Sequence, residues 1–453
     1  MFTVDQTVAK RRRLFRHPAQ VVAAAFAVTI LIGTLLLMLP MAKQGPGAAS
    51  PGEALFTATS ATCVTGLVVV DTPTYWSGFG QVVILALIQI GGFGLMTMAS
   101  LLGLLVAKRL GLRGRLMAAT ETKAAGIGDV RGLLTGVLKA TVFFEVSVAL
   151  ILTLRFWLGY GEAFGDAAYL GLFHAISAFN NAGFALFSDN MMGFVTDPYI
   201  CLPICAAIIF GGIGFPVLRE LRRRLRGPVR WSLHTKLTVL MTGILLIGGW
   251  VFMAVSEWGN SKTLGALDVP GRLLASFFHA VQPRTAGFNS LDVGAMSDET
   301  LLGTDVLMFI GGGSAGTAGG IKVTTFALLL FVIVAEARGE QSVTIFRRRI
   351  DPRVIRQALT VALLAVAGMV GGATLLMWMT DHRLSLVLTE VISALGTVGL
   401  SANVTPTLPE AAQLVLVALM FVGRLGPVTL VSALAMREHT RKYEYPEERP
   451  LIG

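Results

Sequence analysis

Four short segments of this chain end in a glycine followed by a bulky apolar residue. Their spacing fits one kind of chemistry, the coordination of a dehydrated cation by backbone carbonyls. They run from Ser60 to Leu67, Ser177 to Phe184, Val281 to Phe288 and Ser393 to Leu400. Their glycines, Gly66, Gly183, Gly287 and Gly399, are 117, 104 and 112 residues apart, and three of the four segments carry serine six residues before the glycine. Successive carbonyls can face one axis only where some residues take positive φ, which glycine adopts without steric cost. Recurrence at a fixed period implies copies of one unit, and a ring of carbonyls from four equivalent loops can replace an ion's hydration shell. The expected ion contacts are the carbonyls of Val64, Thr65 and Gly66, of Asn181, Ala182 and Gly183, of Thr285, Ala286 and Gly287, and of Thr397, Val398 and Gly399. Any one of these glycines could be a close-packing residue of a membrane helix. Four in register favour the filter.

A second set of residues would act on the path. Glycine clusters recur about 26 to 31 residues after each of these glycines, at Gly91-Gly92-Phe93-Gly94, Gly211-Gly212-Ile213-Gly214, Gly311-Gly312-Gly313 and Gly423-Arg424-Leu425-Gly426. The third extends to Gly320 and holds six glycines in ten residues, each costing a helix about 1 kcal/mol relative to alanine. The stretch Leu301 to Ala337 therefore reads as two half-helices joined by an intramembrane loop. Gly311, Gly312, Gly313, Ser314, Gly316, Thr317, Gly319 and Gly320 form the expected gate, together with Arg424. That arginine falls near the centre of an apolar stretch, Ala411 to Met436, where a charge is costly and should face a cavity or partner carbonyls. It serves either as a barrier to cations below the filter or as a tie between helices. A phosphate-binding loop is excluded, because no Gly-Lys-Ser/Thr ending and no preceding strand accompany the glycines.

Other polar residues have quieter readings. Arg284 cannot point into a cation path and is expected to brace the third segment from behind. Glu145, Glu390, His174 and His279 are isolated, whereas a proton relay needs several groups in series; packing and hydrogen bonding are the expected roles. Lys322 closes the glycine loop and is expected to anchor it.

These residues need a membrane scaffold. The chain is 54% hydrophobic and 14% charged, with a mean hydropathy of +0.70, against about a quarter charged in soluble domains. Apolar runs occur at Val21–Met38, Val82–Leu105, Val142–Leu154, Leu237–Val255, Val323–Val334, Leu359–Met377 and Leu414–Leu434, several near the roughly 20 residues that span a bilayer. Between them lie shorter stretches, Pro51–Ala61, Ala167–Phe179, Gly271–Gln282 and Leu384–Leu395, each suited to a re-entrant half-helix. Irregular backbone at membrane depth persists only where protein buries it or it lines a watery cavity. The expected fold is an all-α membrane protein of four tandem helix–pore-loop–helix repeats around a pseudo-fourfold pore, with eight transmembrane helices. The repeats fall at 19–115, 116–230, 231–350 and 351–437, between a short N-terminal segment (1–18) and a tail (438–453).

Charge orients it. The net charge of +10 collects at Lys10–Arg13, Lys108–Arg115, Arg219–Arg230, Arg347–Arg356 and Arg437–Lys442, which the positive-inside rule places in the cytoplasm with both termini. The half-helices then enter from outside, and their C-terminal, negative dipole ends converge on the axis, which favours a cation. An anion site would present N-termini instead. The first apolar run is longer than a signal peptide's core and lacks a convincing cleavage site, so it reads as an uncleaved helix. Three cysteines, Cys63, Cys201 and Cys205, give neither a disulfide framework nor a closed metal set. The basic runs lack any nucleic-acid motif. An intramembrane enzyme would need a catalytic set that is missing here, and a secondary transporter of a small solute built on broken helices usually has two repeats rather than four.

With these residues in view, the chain resembles the Trk/Ktr/HKT superfamily of potassium transporters over nearly its whole length. Arg284-Thr285-Ala286-Gly287-Phe288-Asn289 is the most specific part of the likeness. The resemblance implies potassium preference, since glycine rather than serine stands at position 66, and it implies a gating role for the third repeat's glycine run. Only about 18 residues precede the first span, so the chain is most similar to the Ktr-type membrane subunit of a bacterial cytoplasmic membrane. The resemblance further implies a homodimer with one pore per protomer and a cytosolic ring of RCK-type nucleotide-binding subunits that respond to ATP and ADP. K+ is the implied transported ion, with Na+ an activator in some systems and no organic cofactor. Cys63 departs from the commoner pattern in the first segment, which a filter of backbone carbonyls should tolerate.

Overall fold

Residues 18–109, 127–224 and 231–426 are described by the computed structural model, and they are helical almost throughout. Lys10–Arg13, residues 110–115 and 225–230 of the basic connectors, and the tail with Arg437–Lys442 lie outside the described residues. The chain runs through α1 (Pro18–Leu37), α2 (Pro51–Thr62) and α3 (Gly78–Arg109), then α4 (Ile127–Tyr160), α5 (Phe164–Phe179), α6 (Pro198–Ile213) and α7 (Phe215–Arg224). It continues with α8 (Leu233–Glu257), α9 (Val269–Val281), α10 (Asp298–Ile310) and α11 (Val323–Ala337). A small hairpin, β1 (Thr344–Ile345) and β2 (Arg348–Arg349), leads into α12 (Pro352–Met379), α13 (Leu384–Gly396) and α14 (Glu410–Leu425).

This is a helical membrane protein. Among the described residues, four helical stretches are long and apolar enough to cross a bilayer: Gln20–Leu37, Leu134–Tyr160, Leu233–Glu257 and Pro352–Met379. The bent pair α6–α7 adds a fifth if it is counted as one span. Their apolar side chains point outward as well as inward; Trp378 and Val255 are 81% and 75% exposed. In water such a surface would drive association, but against lipid tails it is the matching solvent.

The short helices are the inner layer. α2, α5, α9 and α13 have 12, 16, 13 and 13 residues. At 1.5 Å per residue they are about 18–24 Å long, short of a hydrocarbon core about 30 Å thick. Their C-terminal halves are buried: Phe56 to Thr62, Phe173 to Ala175, Phe278 to Val281 and Thr389 to Gly396 are all enclosed. Two carry side-chain N-caps. Ser50 accepts from the Glu53 N–H while the Glu53 carboxylate accepts from the Ser50 N–H, a reciprocal capping box. Asp268 accepts from the Gly271 N–H at 3.0 Å. Glu53 also accepts from the Tyr75 hydroxyl at 2.6 Å. Burial alone would raise the Glu53 carboxyl's pKa, but the Tyr75 and Ser50 hydrogen bonds outweigh it and hold the group below its usual range.

The second helices differ from the sequence reading, which breaks only the third. α6 stops at Gly214 (φ 99) and turns by 99° into α7; α10 stops at Gly311 (φ 62); α14 stops at Gly426 (φ 81). Each of these glycines takes a left-handed φ, and Pro216 and Pro427 follow two of them, the arrangement that stops a helix abruptly. Arg424 is consequently in the last turn of α14 rather than mid-helix. There its charge meets the helix's negative end.

Candidate functional site

The glycine segments lie directly after the buried C-terminal ends of α2, α5, α9 and α13. In every one the chain alternates in handedness at the same two places. Val64 and Gly66 have φ of 55 and 95, Asn181 and Gly183 59 and 71, Thr285 and Gly287 72 and 76, and Thr397 and Gly399 48 and 94. Sequence reasoning named both sets of residues as carbonyl donors but expected positive φ only of the glycines. Asparagine tolerates this region, but a β-branched residue at positive φ, as at Val64, Thr285 and Thr397, is strained, and such strain persists only where the surroundings impose it.

The surroundings do so through the N–H groups. Thr65 and Ala182 donate to the carbonyls of Ser60 and Ser177, both at 2.8 Å; Ala286 donates to that of Gln282 at 3.0 Å and Val398 to that of Ser393 at 2.8 Å. The serine six residues before the glycine has a role as well. Ser60 and Ser393 Oγ accept from the Gly66 and Gly399 N–H groups at 3.1 and 3.0 Å. Ser177 Oγ instead donates to the Phe184 carbonyl at 2.8 Å. In the third segment, where Val281 replaces serine, Gln282 Oε1 accepts from the Phe288 N–H at 3.1 Å. With the N–H groups turned back onto the half-helices, the carbonyls of Thr65, Ala182, Ala286 and Val398 accept no hydrogen bond among the described residues.

The four segments also close on one another. A Cβ added to Gly66 would collide with the Ala182 carbonyl oxygen. One on Gly183 would lie 2.5 Å from the Ala286 oxygen, and one on Gly287 2.5 Å from that of Val398. One on Gly399 would collide with the Thr65 oxygen, which completes the circuit. The missing side chains let four backbones approach around a common centre, and the C-terminal ends of four helix dipoles are aimed there. The arrangement has the donors and the electrostatic sign to hold a dehydrated monovalent cation.

Glycines of the second helices seat these ends. Gly91, Gly211 and Gly423 abut the carbonyls of Thr62, Phe179 and Leu395, with no room for a Cβ. The third unit has a different solution, in which residues 311–322 form an irregular loop packed against the ends of the half-helices. The Gly313 and Thr317 N–H groups donate to the Gly212 and Gly211 carbonyls at 2.8 and 3.1 Å. Thr317 Oγ1 reaches the Phe179 carbonyl (3.2 Å) and Asn181 Oδ1 (3.0 Å), and the Gly319 N–H donates to Thr285 Oγ1 at 3.2 Å. Arg424 donates from Nη1 to the Thr317 carbonyl at 2.6 Å and from Nη2 to that of Gly91 at 3.2 Å. Lys322 Nζ donates to the Ala318 and Gly319 carbonyls at 2.6 and 3.3 Å. Ser314 Oγ lies 3.0 Å from Thr324 Oγ1.

The isolated polar residues have partners. Asn180, within the second segment, donates to Gln89 Oε1 (2.8 Å) and Glu145 Oε1 (3.0 Å); Gln89 had no signal in the sequence. His174 lies between the Leu170 carbonyl (2.7 Å) and the Leu186 N–H (3.2 Å), which fixes a neutral ring with its proton on Nδ1. Glu390 accepts from Ser401 Oγ, Thr405 Oγ1 and the Ala402 N–H, and His279 Nε2 lies 3.3 Å from Thr304 Oγ1. Arg284 is buried, with Nη1 unpartnered, while its carbonyl accepts from Asn181 Nδ2 at 3.2 Å. No group of three or more His, Cys, Asp or Glu residues forms a metal site among the described residues.

Comparison with known proteins bears on this geometry. The TrkH cation transport protein family matches residues 3–443. The chain is 43% identical over 438 residues to the Ktr system potassium uptake protein B of Bacillus subtilis, covering 96% of this chain and 97% of that one. It is 37% identical over 451 residues to the potassium/sodium uptake protein NtpJ of Enterococcus hirae, covering 98% and 99%. The solved structure of the potassium transporter TrkH from Vibrio parahaemolyticus superposes with a TM-score of 0.73 at 18% identity, over 94% of this chain and 86% of that one, a likeness of fold.

Proposed function

The chain belongs to the TrkH cation transport family, and from that premise we propose that it carries potassium into the cell through the ring of four glycine segments. The observation that carries the reading is the set of carbonyls at Thr65, Ala182, Ala286 and Val398, which accept no hydrogen bond among the described residues and lie at the ends of four half-helices. With the carbonyls flanking them, from Val64, Gly66, Asn181, Gly183, Thr285, Gly287, Thr397 and Gly399, they form the selectivity filter of a pseudo-fourfold pore. The four repeats contribute eight spans: α1, α3, α4, α6–α7, α8, α10–α11, α12 and α14. The loop from Gly311 to Gly320 is the gate, with Arg424 both its tie and an electrostatic barrier below the filter.

The relatives named for Ktr systems support a two-component machine. In this proposal the chain is the membrane subunit of a homodimer with its termini in the cytoplasm, and an RCK-type ring that binds ATP or ADP pulls on the third repeat. Such a pull shifts an existing equilibrium of the loop. Sodium enters as an activating ion. The broken helices also suit a secondary transporter of a small solute, but the four-membered circuit of glycines favours a pore.

Rubidium uptake into liposomes containing the purified protein tests the reading. Uptake should proceed without any organic solute and be inhibited by potassium. Uptake that requires a co-transported organic solute would defeat it.

A further inference from the structure

We propose that the glycine loop braces the filter as well as obstructing the path, so that opening the path loosens ion selectivity. The inference rests on the filter reading above and goes beyond it.

Asn181 and Thr285 are non-glycine residues at φ 59 and 72, and the side chains of both are hydrogen-bonded to the loop. Asn181 spans two neighbours: Nδ2 donates to the Arg284 carbonyl in the third segment, and Oδ1 accepts from Thr317 Oγ1 in the loop. Thr285 Oγ1 accepts from the loop's Gly319 N–H. The corresponding residues of the other two segments have no such hold. The Val64 side chain has no polar atom to offer, and Thr397 Oγ1 is buried without a hydrogen bond among the described residues, packed against Gly319.

The brace is therefore lopsided, acting on the second and third strands. When the loop leaves, Asn181 Oδ1 and Thr285 Oγ1 lose their donors, and two left-handed residues lose side-chain contacts that reinforce the backbone hydrogen bonds holding their conformation. Their carbonyls then gain freedom to turn from the axis. A looser carbonyl ring closes more readily around the smaller sodium ion. Thr317, Asn181 and Thr285 act here as positioning residues, through side chains that need not touch the ion.

The test measures rubidium and sodium uptake in liposomes holding the purified full chain. Thr317→Val and Thr285→Val should each lower the rubidium-to-sodium ratio about fivefold, the size of one lost hydrogen bond. Thr317→Ser keeps the hydroxyl and should keep the wild-type ratio. In a chain shortened by residues 316–319, Thr285→Val should change the ratio no further, since its partner has gone. Should Thr317→Val misfold, Thr285→Val with and without the loop carries the test. The brace is refuted if Thr317→Val raises flux at an unchanged ratio, or if Thr285→Val acts equally with the loop removed. Gly66→Ser separates the two levels of the argument. An altered ratio there beside an unaltered one in Thr317→Val overturns only the brace, and unaltered ratios in both overturn the filter.

Discussion

Replacing Gly66 by serine places a side chain where the structure has a neighbour's backbone. Gly66 has φ 95, and an L-residue forced into left-handed backbone costs roughly 1–2 kcal/mol. The new Cβ would also overlap the Ala182 carbonyl oxygen, so the obstacle is a rigid backbone group and not a flexible side-chain end. The cheapest relief is to rotate the Ala182 carbonyl away from the centre, which removes one of four oxygens at that level. If only one or two kcal/mol of the difference between potassium and sodium is lost, the permeability ratio falls by a factor of about 5–30. Reversal potentials in planar bilayers with potassium on one side and sodium on the other measure this directly. Gly78→Ser is the companion, because a Cβ there meets nothing within 4 Å. A ratio in Gly66→Ser equal to that of Gly78→Ser would refute the placement of Gly66 against the ion path.

Three further outcomes follow from the same geometry. Arg424→Ala, or removal of residues 313–316, should raise potassium flux without a cytosolic regulator by roughly tenfold or more, since one charge-assisted hydrogen bond is worth about 1.5–3 kcal/mol. Wild-type flux in well-folded samples of both would place the gate elsewhere. Ser393→Ala strands the buried Gly399 N–H and should cost roughly 1–3 kcal/mol in detergent unfolding, whereas Ser177→Ala removes only a donor to a carbonyl and should cost about 1; equal losses would contradict the opposed hydrogen-bond directions. Glu53 has a folded-state pKa below its ordinary 4.5, so its contribution to stability is complete above that value and disappears as pH falls through the lowered one. Thermal melting between pH 6 and 3 should show an acid-side loss that Glu53→Gln lacks, and parallel curves would dismiss it.

The half-helices were legible in the sequence to within three residues at either end, because each is a short apolar stretch between a polar loop and a glycine. The interruption between Ile310 and Val323 was legible for a similar reason, since six clustered glycines cannot sustain a helix. The breaks at Gly214 and Gly426 were written there too, in Gly214-Phe215-Pro216 and Gly426-Pro427. Reading Ala411–Met436 as one span hid the second of them and misplaced Arg424. Positive φ at Val64, Asn181, Thr285 and Thr397 was not legible. No propensity marks a valine or threonine for left-handed backbone; the conformation is imposed by N–H groups turned onto a half-helix and by neighbouring strands. The Asn180–Glu145–Gln89 group was hidden for another reason. Its members are far apart in sequence, and only the packing of α3, α4 and α5 unites them.

The circuit of close approaches has a direction, and that has a genetic consequence. Each glycine presses on the carbonyl of the segment that follows it in the chain, and the last presses on the first. A lesion at one glycine should therefore be relieved most readily by a second change in the following segment, ahead of changes in its own or the opposite one. Compensating mutations for Gly183 should gather near Ala286, and those for Gly399 near Thr65. Because all four segments are encoded in one chain, each of these four junctions can be altered alone, which no pore assembled from four identical subunits permits. A suppressor screen would then map the neighbours around the ring one junction at a time.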